Sequence, residues 1–532
     1  MVGLGWPVCI GMLCRFMMSS MDVAFIGHIG GNGHTSLLKD AMPNFAAAAQ
    51  NGEFMPLMFP AWSLHSAETA RRLVGSKEYL AAASLSEMCT NLVVIPLLGM
   101  GFALNPLVAN AMGARNLKMA GIFLQLALFC ITLALIPVFV SFFFVGDLLK
   151  AFDFDPQICD LAGIYTKFQS IWVLPNAWYI TIRFFFQAQG KARPAMYCGM
   201  TFVGVNALLL WILVYGGPAD GSWWVHGGLG FIGAAVSISC SRVLQFVAYS
   251  IYMFILKGDH LPTWPGWSWE FLQKTHLRGY FAQVLPRMCT LLLQFFVSQS
   301  IIFFVAELGV LEVAASSAAI QAIFPISTCL VATFSALGSI RVGMKLGKGD
   351  AFEARRTAWL ALAAAAGTVL IIAAFLLPLR HWAMSLMANN PEVQTLGASL
   401  LIPMMVNFMG SVLTACGNAI LASQGRPRLS TILILVVELP LSFGSILVLV
   451  LVFHADVRIV YWVQGLVTAL EAAIVCRILA RSDWERHARE THAKNQAAKA
   501  SATSLTAIAK KPDESEQKEK EEEKRENPSA GA

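Results

Sequence analysis

Charge is what this sequence has least of. Only 13% of its 532 residues are Asp, Glu, Lys or Arg, about half the share of a soluble domain, while 57% are hydrophobic. A mean hydropathy of +0.62 makes lipid its natural solvent. The eleven cysteines lack any CxxC spacing and stand singly in apolar runs, as at Cys9, Cys89 and Cys130, so a zinc site or disulfide framework is not indicated and they read as small packing residues. HExxH, GxSxG and Cys/His ligand clusters are missing, which argues against a membrane enzyme, and no GxxxxGK[ST] loop is present to bind ATP. The first apolar run has neither a basic leader nor a small-residue cleavage site, so it reads as a retained span. The net charge of +6 does not imply nucleic acid, because the excess Lys and Arg fall in short loops.

What is present in quantity is long apolar segments. A hydrocarbon core of ~30 Å takes about 20 residues to cross, and twelve segments qualify: 4–28, 80–107, 119–145, 158–184, 195–216, 227–256, 282–306, 312–338, 353–378, 394–420, 429–453 and 458–480. The loops on one side hold fourteen basic residues, among them Arg115, Lys118, Lys191, Arg341, Lys345 and Arg426. The short loops opposite hold three: Lys150, Arg380 and Arg458. The basic side is expected to be cytosolic, with both termini there, in the plasma membrane or an organellar one. The last stretch, 482–532, turns to Lys, Glu, Ala and Ser and is expected to be a disordered cytosolic tail.

The chain also repeats itself. MGARNLKMAG at 112–121 returns as KLGKGDAFEAR at 345–355, with Gly113 on Gly347, 234 residues on. DPQICDLAGIY at 155–165 returns as NPEVQTLGASL at 390–400, with Pro156 on Pro391, 235 on. QAQGKARP at 187–194 returns as LASQGRPR at 421–428, with Gly190 on Gly425, again 235 on. Pro7 pairs with Pro286 at 279, so about 45 extra residues, near 31–77, are expected as an insertion in the first outer loop. The expected fold is an all-α integral membrane protein of 12 transmembrane helices in two six-helix lobes, 1–256 and 282–481, joined by a linker at 257–281. Repeats of one topology imply a pseudo-twofold axis along the membrane normal and a cavity between the lobes.

The same landmarks resemble the multidrug and toxic compound extrusion (MATE) family: MDVAFIGHIGG at 21–31, NPLVANAMGARN at 105–116, IRFFFQAQGKARP at 182–194 and SIRVGMKLGKGD at 339–350. The resemblance covers about 1–480, insertion excluded. It implies a divergent eukaryotic-type member, an antiporter that exports small organic, often cationic, compounds against H+ or Na+ and needs no other cofactor. Its partners would be the substrate and the bilayer, and it would act as a monomer. The sequence departs from the pattern in its seventh span. Where eukaryotic members carry EWWxFE, QFFVSQ stands at 294–299, so Gln294 and Gln299 replace both acids. No carboxylate lies between Glu392 and Glu438 either.

An acid at bilayer depth is expensive, so each one is a functional candidate. Four lie more than three residues inside a span: Asp22, Glu87, Glu438 and Glu471. Asp22 and Glu87 sit at one depth, near ~10 Å below the outer surface at ~1.5 Å per residue, and as a facing pair could exchange a proton or bind Na+. Asp22 also matches the acid of the family's first-span motif; the alternative is a structural acid paired with Arg15 or Arg183. Asn91, one turn after Glu87, and Asn206 match polar positions of the family's N-lobe network, although Leu210 stands where bacterial members have Asp; interhelical hydrogen bonds are the alternative. Glu438, two residues before Pro440, could supply C-lobe coupling. Glu471 reads as structural, close enough to pair with Arg477. Gln294, Phe295 and Gln299 are candidate cavity-lining residues. Arg183 reads as snorkelling, Phe184 to Phe186 as lipid-facing bulk, and WPGWSWEF at 264–271 as an interfacial belt. A lipid or oligosaccharide flippase is the competing reading. A strongly basic cavity would favour it, but the spans read as holding few cations.

Overall fold

The computed structural model describes residues 2–28, 76–215, 229–267, 269–306, 308–387, 390–453 and 455–509. Most of the expected insertion at 31–77, and the end of the tail at 510–532, lie outside the described residues. Twelve long helical passes carry the fold. In the first half they are α1 (Val2–His28), α2 (Ser76–Gly113), α3 (Leu117–Ser141), α5 (Pro156–Ala188), α6 (Arg193–Tyr215) and α7 (Gly230–Ser250). The short α4 (Val145–Ala151) lies between α3 and α5. In the second half they are α8 (Lys274–Ala306), α9 (Val310–Lys348), α10 (Ala351–Leu376), α12 (Pro391–Ser423), α13 (Pro427–Leu433) continued by α14 (Gly444–Leu451), and α15 (Val457–Ala480). The short α11 is Arg380–Met387. No strand occurs among the described residues.

By length and apolarity, ten of these passes can each cross a membrane. The outer surface is apolar where lipid would meet it: Leu133, Ile136, Leu370, Ile371 and Phe375 all face outward and are largely exposed. All eleven cysteines are free, and Cys159 and Cys416 are fully buried packing residues.

Each repeated landmark has a physical reason. At Asp155-Pro156 and Asn390-Pro391, the acid or amide side chain caps a helix whose first turn holds the proline. Asp155 accepts from the Gln157 amide at 2.8 Å and Asn390 from the Glu392 amide at 2.9 Å. Gly190 and Gly425 end α5 and α12 at φ of +88° and +79°, a left-handed close that side chains resist. Gly113 and Gly347 do something different. A methyl on Gly113 would strike the Met344 carbonyl, and one on Gly347 would strike the Asn110 carbonyl. Met344 is 234 residues from Asn110, as Gly347 is from Gly113, so the contact is reciprocal. The pseudo-twofold axis therefore passes between α2 and α9, whose backbones touch at the basic end of the bundle.

That end is fastened further. Lys118 pairs with Glu270 at 2.9 Å and Lys191 with Asp259 at 2.7 Å, holding the linker against the first half. Gln125 of α3 donates to the Gly266 carbonyl at 2.6 Å, while Trp267 and Trp269 stay exposed, in keeping with a belt. The linker is shorter than 257–281, because α8 already begins at Lys274. The expected disordered tail is corrected more strongly: Trp484–Ala509 forms helix α16. It crosses the seam between the halves. Asn116 of the first half donates to the Asn495 carbonyl at 3.1 Å, and the His492 ring nitrogen Nδ1 bonds the Gly347 carbonyl of the second at 2.9 Å. Ala-rich composition supports a helix as readily as a coil, and the buried Trp484 and Ala488 give it the anchor that a polar tail lacks.

Candidate functional site

Polar side chains inside this bundle gather at three places. The first is in the second half, where the chain widens into a π-helix over Ile434–Phe443. Pro440 has no N–H to donate, and such a widening shifts the register of the bonds around it; π-turns recur at functional sites. It leaves Glu438 and Ser442 buried, at 8% and 0% exposure. The π segment packs on α15, whose buried stripe is Tyr461, Gln464, Thr468 and Glu471, spaced as one helix face. Glu438 lies on the π segment and Glu471 on the helix that packs against it. Glu438 Oε2, Glu471 Oε1, Gln464 Oε1 and Ser442 Oγ make no hydrogen bond among the described residues. A pair of buried acids with unused oxygens is an unfinished cation site: an H+ or Na+ between them would relieve both the repulsion and the missing bonds.

The expectation that Glu471 is a structural partner of Arg477 is thus corrected. Glu471 is 1% exposed on the inner stripe, whereas Arg477 is exposed on another face of α15. The signal was available, since 461, 464, 468 and 471 repeat at helical spacing.

The second place is in the first half, and it is basic. Arg183 on α5 and Arg242 on α7 are buried, at 6% and 7% exposure. Each reaches α1, Arg183 to within 3.9 Å of Met12 Sδ and Arg242 to 4.0 Å of Met18 Sδ. Arg15 sits on α1 one turn from each of those methionines. Tyr179 and Tyr249 meet edge-on at 5.2 Å beside them. Arg183 lies over the rings of Tyr179 and Phe184, at 6.0 and 4.9 Å. Arg183 therefore does not snorkel, and Phe184, Phe185 and Phe186 are core residues at 1%, 0% and 0% exposure instead of lipid-facing bulk. The helix turns these rings inward, Phe184 under the Arg183 guanidinium and Phe186 against Phe254. Scanning the spans for acids alone missed this triad. A search for Arg inside apolar runs, as in MLCRFMM and ISCSRVLQF, finds it.

The third place is a cavity of ≈ 20 Å³ between the halves, room for a water. It is lined by Asn105, Gln283, Arg287, Thr290, Ser339 and Asn418 among others. Arg287 donates to Ser335 Oγ at 3.5 Å and lies 5.5 Å from the centre of the Phe102 ring. The spans consequently hold four arginines in the interior, against the expectation of few cations.

The expected site residues divide across this frame. The backbone of Asp22 is in α1, but its side chain lies outside the described residues. Glu87 and Asn91 are partly buried on one face of α2. The neighbouring face is tied to α5 through Ser86 and Thr166 at 2.5 Å and Thr90 to Gln169 at 3.3 Å. Asn206 is buried on α6. Gln294 continues the α8 stripe of Gln283, Arg287 and Thr290 that lines the cavity. Phe295 is partly buried off that stripe and Gln299 is exposed.

The family model MatE matches the chain twice, at residues 54–212 and 286–444. The first match starts inside the stretch expected as an insertion. The chain is 24% identical over 396 residues to mouse Multidrug and toxin extrusion protein 1, a match covering 73% of the chain and 66% of that protein. It is 25% identical to the Xenopus tropicalis protein of the same name, covering 78% and 70%. Among solved structures, the eukaryotic MATE transporter AtDTX14 superposes with a TM-score of 0.72 at 17% identity, covering 93% of this chain and 98% of that one.

Proposed function

The chain belongs to the MatE family of membrane transporters and is no enzyme, and from that premise we propose that it is a secondary active antiporter exporting small organic compounds in exchange for H+ or Na+. The observation that carries the coupling is the buried pair Glu438 and Glu471 with its unused oxygens. When the pair takes up a cation its repulsion ends, and the π segment and α15 can pack differently; release on the other side of the membrane resets them. Asp22 and Glu87 are the corresponding acids of the first half. Substrate passes between the two halves, with Asn91, Asn206 and Gln294 as polar contacts along the way. The path lies within one chain, so a monomer suffices. The excess of Lys and Arg in the loops at the fastened end supports a cytosolic orientation for that end.

The test is efflux of a fluorescent organic solute from proteoliposomes under an imposed pH or Na+ gradient, with Glu438→Gln, Glu471→Gln and Asp22→Asn beside the native chain. Gradient-driven efflux lost in the Glu438 and Glu471 variants establishes coupling in the second half. Loss only in Asp22→Asn moves the coupling to the first half. The four interior arginines favour a second reading, a lipid flippase, and transport indifferent to any gradient would select it.

A further inference from the structure

The halves meet at the basic end through contacts of two kinds. One kind belongs to the repeat: Gly113 lies against Met344 and Gly347 against Asn110, and the Asn110 amide donates to the Ser423 carbonyl at 3.2 Å. The other is α16. At the repeat offset of 235, residues 484–498 fall on 249–263. There the first half has the end of α7, a π-helix over Ile251–Leu256 and a loop that stays on its own half. Lys191 holds Asp259, and a methyl on Gly121 of α3 would strike the Thr263 carbonyl. The second half starts in the same way and then goes further. Trp484 and Ala488 are buried, α16 packs on α9 and α10, and the His492 ring bonds the Gly347 carbonyl, so the helix is fixed to the second half. One turn on, the same face reaches α2 and α3 of the first half, where Asn116 donates to the Asn495 carbonyl at 3.1 Å. At ~1.5 Å per residue the span from Trp484 to Asn495 is about 16 Å, enough to bridge the seam. Asn116 is 3% exposed and its other end is occupied too, since its Oδ1 accepts from the Met119 amide and caps α3. The bond to α16 is therefore anchored on the rigid start of a span. Parting the halves at this end must break it and strip α16 from α2 and α3, whereas parting them at the other end leaves it whole. A contact made in one of two states draws the equilibrium toward that state.

We propose that α16 is an autoinhibitory latch: carried by the second half and hooked on Asn116 of the first, it holds the basic end shut, and the path opens there only when the hook lets go. This rests on the transport reading above, in which the halves part in turn at the two ends, and adds a control on one of those steps.

Two variants of the full chain release the latch by different routes. Asn116→Asp keeps an acceptor to cap α3 and loses the N–H that holds Asn495. Ala488→Glu puts a charge on the buried stripe and lifts α16 from the second half. Hydrogen exchange of the purified protein is read in 484–498 and at the touching ends of α2 and α9, 105–113 and 339–347. Exchange at those ends should quicken by about fivefold in Asn116→Asp and by about tenfold or more in Ala488→Glu. Quicker exchange confined to 484–498 makes α16 a mere appendage and overturns the proposal, as does no change in either variant. If Ala488→Glu does not fold, Asn116→Asp decides alone. In proteoliposomes, the KM for a fluorescent organic solute presented at the basic end should fall by about the same fivefold in Asn116→Asp, because less of the protein is held shut. Quicker exchange at the α2 and α9 ends without gradient-driven transport keeps the latch and sinks the antiporter. Gradient-driven efflux with exchange at those ends unmoved sinks the latch and leaves the antiporter.

Discussion

The two halves of this chain share one scaffold and bury different charged residues. The interior of the first is lined by Arg15, Arg183 and Arg242, and that of the second by Glu438 and Glu471. At the repeat offsets of 279 and 235, Arg15 falls on Gln294 and Arg183 on Asn418, while Arg242 falls on Arg477, so two of the three positions carry neutral amides in the second half. The difference teaches that the duplicated caps, glycines and kinks build the lobes, while a few interior positions choose what each lobe binds.

The largest effect expected breaks the acidic side of that contrast. Glu438→Gln removes one charge from the coupling pair and should cut gradient-driven efflux by at least about tenfold while leaving substrate binding in place, read as transport against binding. Next comes the symmetry itself. Gly113→Val and Gly347→Val each push a side chain into a carbonyl across the axis, and each should cost about 1–3 kcal/mol in thermal melting of the purified protein. Equal costs would confirm that the contact is reciprocal; a clear inequality would show the axis lies elsewhere. Smaller again is the strap across the seam. His492→Ala removes one hydrogen bond of α16, about 1 kcal/mol, and should raise proteolysis of 484–509 without loss of the bundle; Asn116→Ala removes another together with the cap of α3 and should cost more.

The smallest effect is on pH. Burial, with Arg426 nearby, holds the His487 ring below its ordinary 6.5. Released from the bundle, the ring protonates first as pH falls, so docking of α16 is complete above about 6.5 and weakens below it. Hydrogen exchange of 484–495 should rise from pH 7.5 to 5.5, and His487→Gln should flatten the change.

Sequence alone was enough for the bundle, since a stretch of about 20 apolar residues has little choice but to cross lipid as a helix. It was enough for the duplication too, because the Asp-Pro and Asn-Pro caps and the closing glycines Gly190 and Gly425 act locally and leave a readable mark. Glu438 could be picked out by its cost in lipid. Glu471 carried the same cost and a readable helical stripe, but only the packing of the π segment on α15 brings that stripe to Glu438. The arginines show the same limit from the other side. Near a span's end Arg183 can snorkel or fold inward, and only packing against Met12, Tyr179 and Phe184 decides. The tail was misjudged for a related reason: its composition permits a helix, but the Gly347 carbonyl and Asn116, far along the chain, are what hold it. Chain-local physics fixed where the helices run and how they end; the charge each lobe encloses was decided by which faces tertiary packing turned inward, since a charge is tolerated at depth only where other helices surround it.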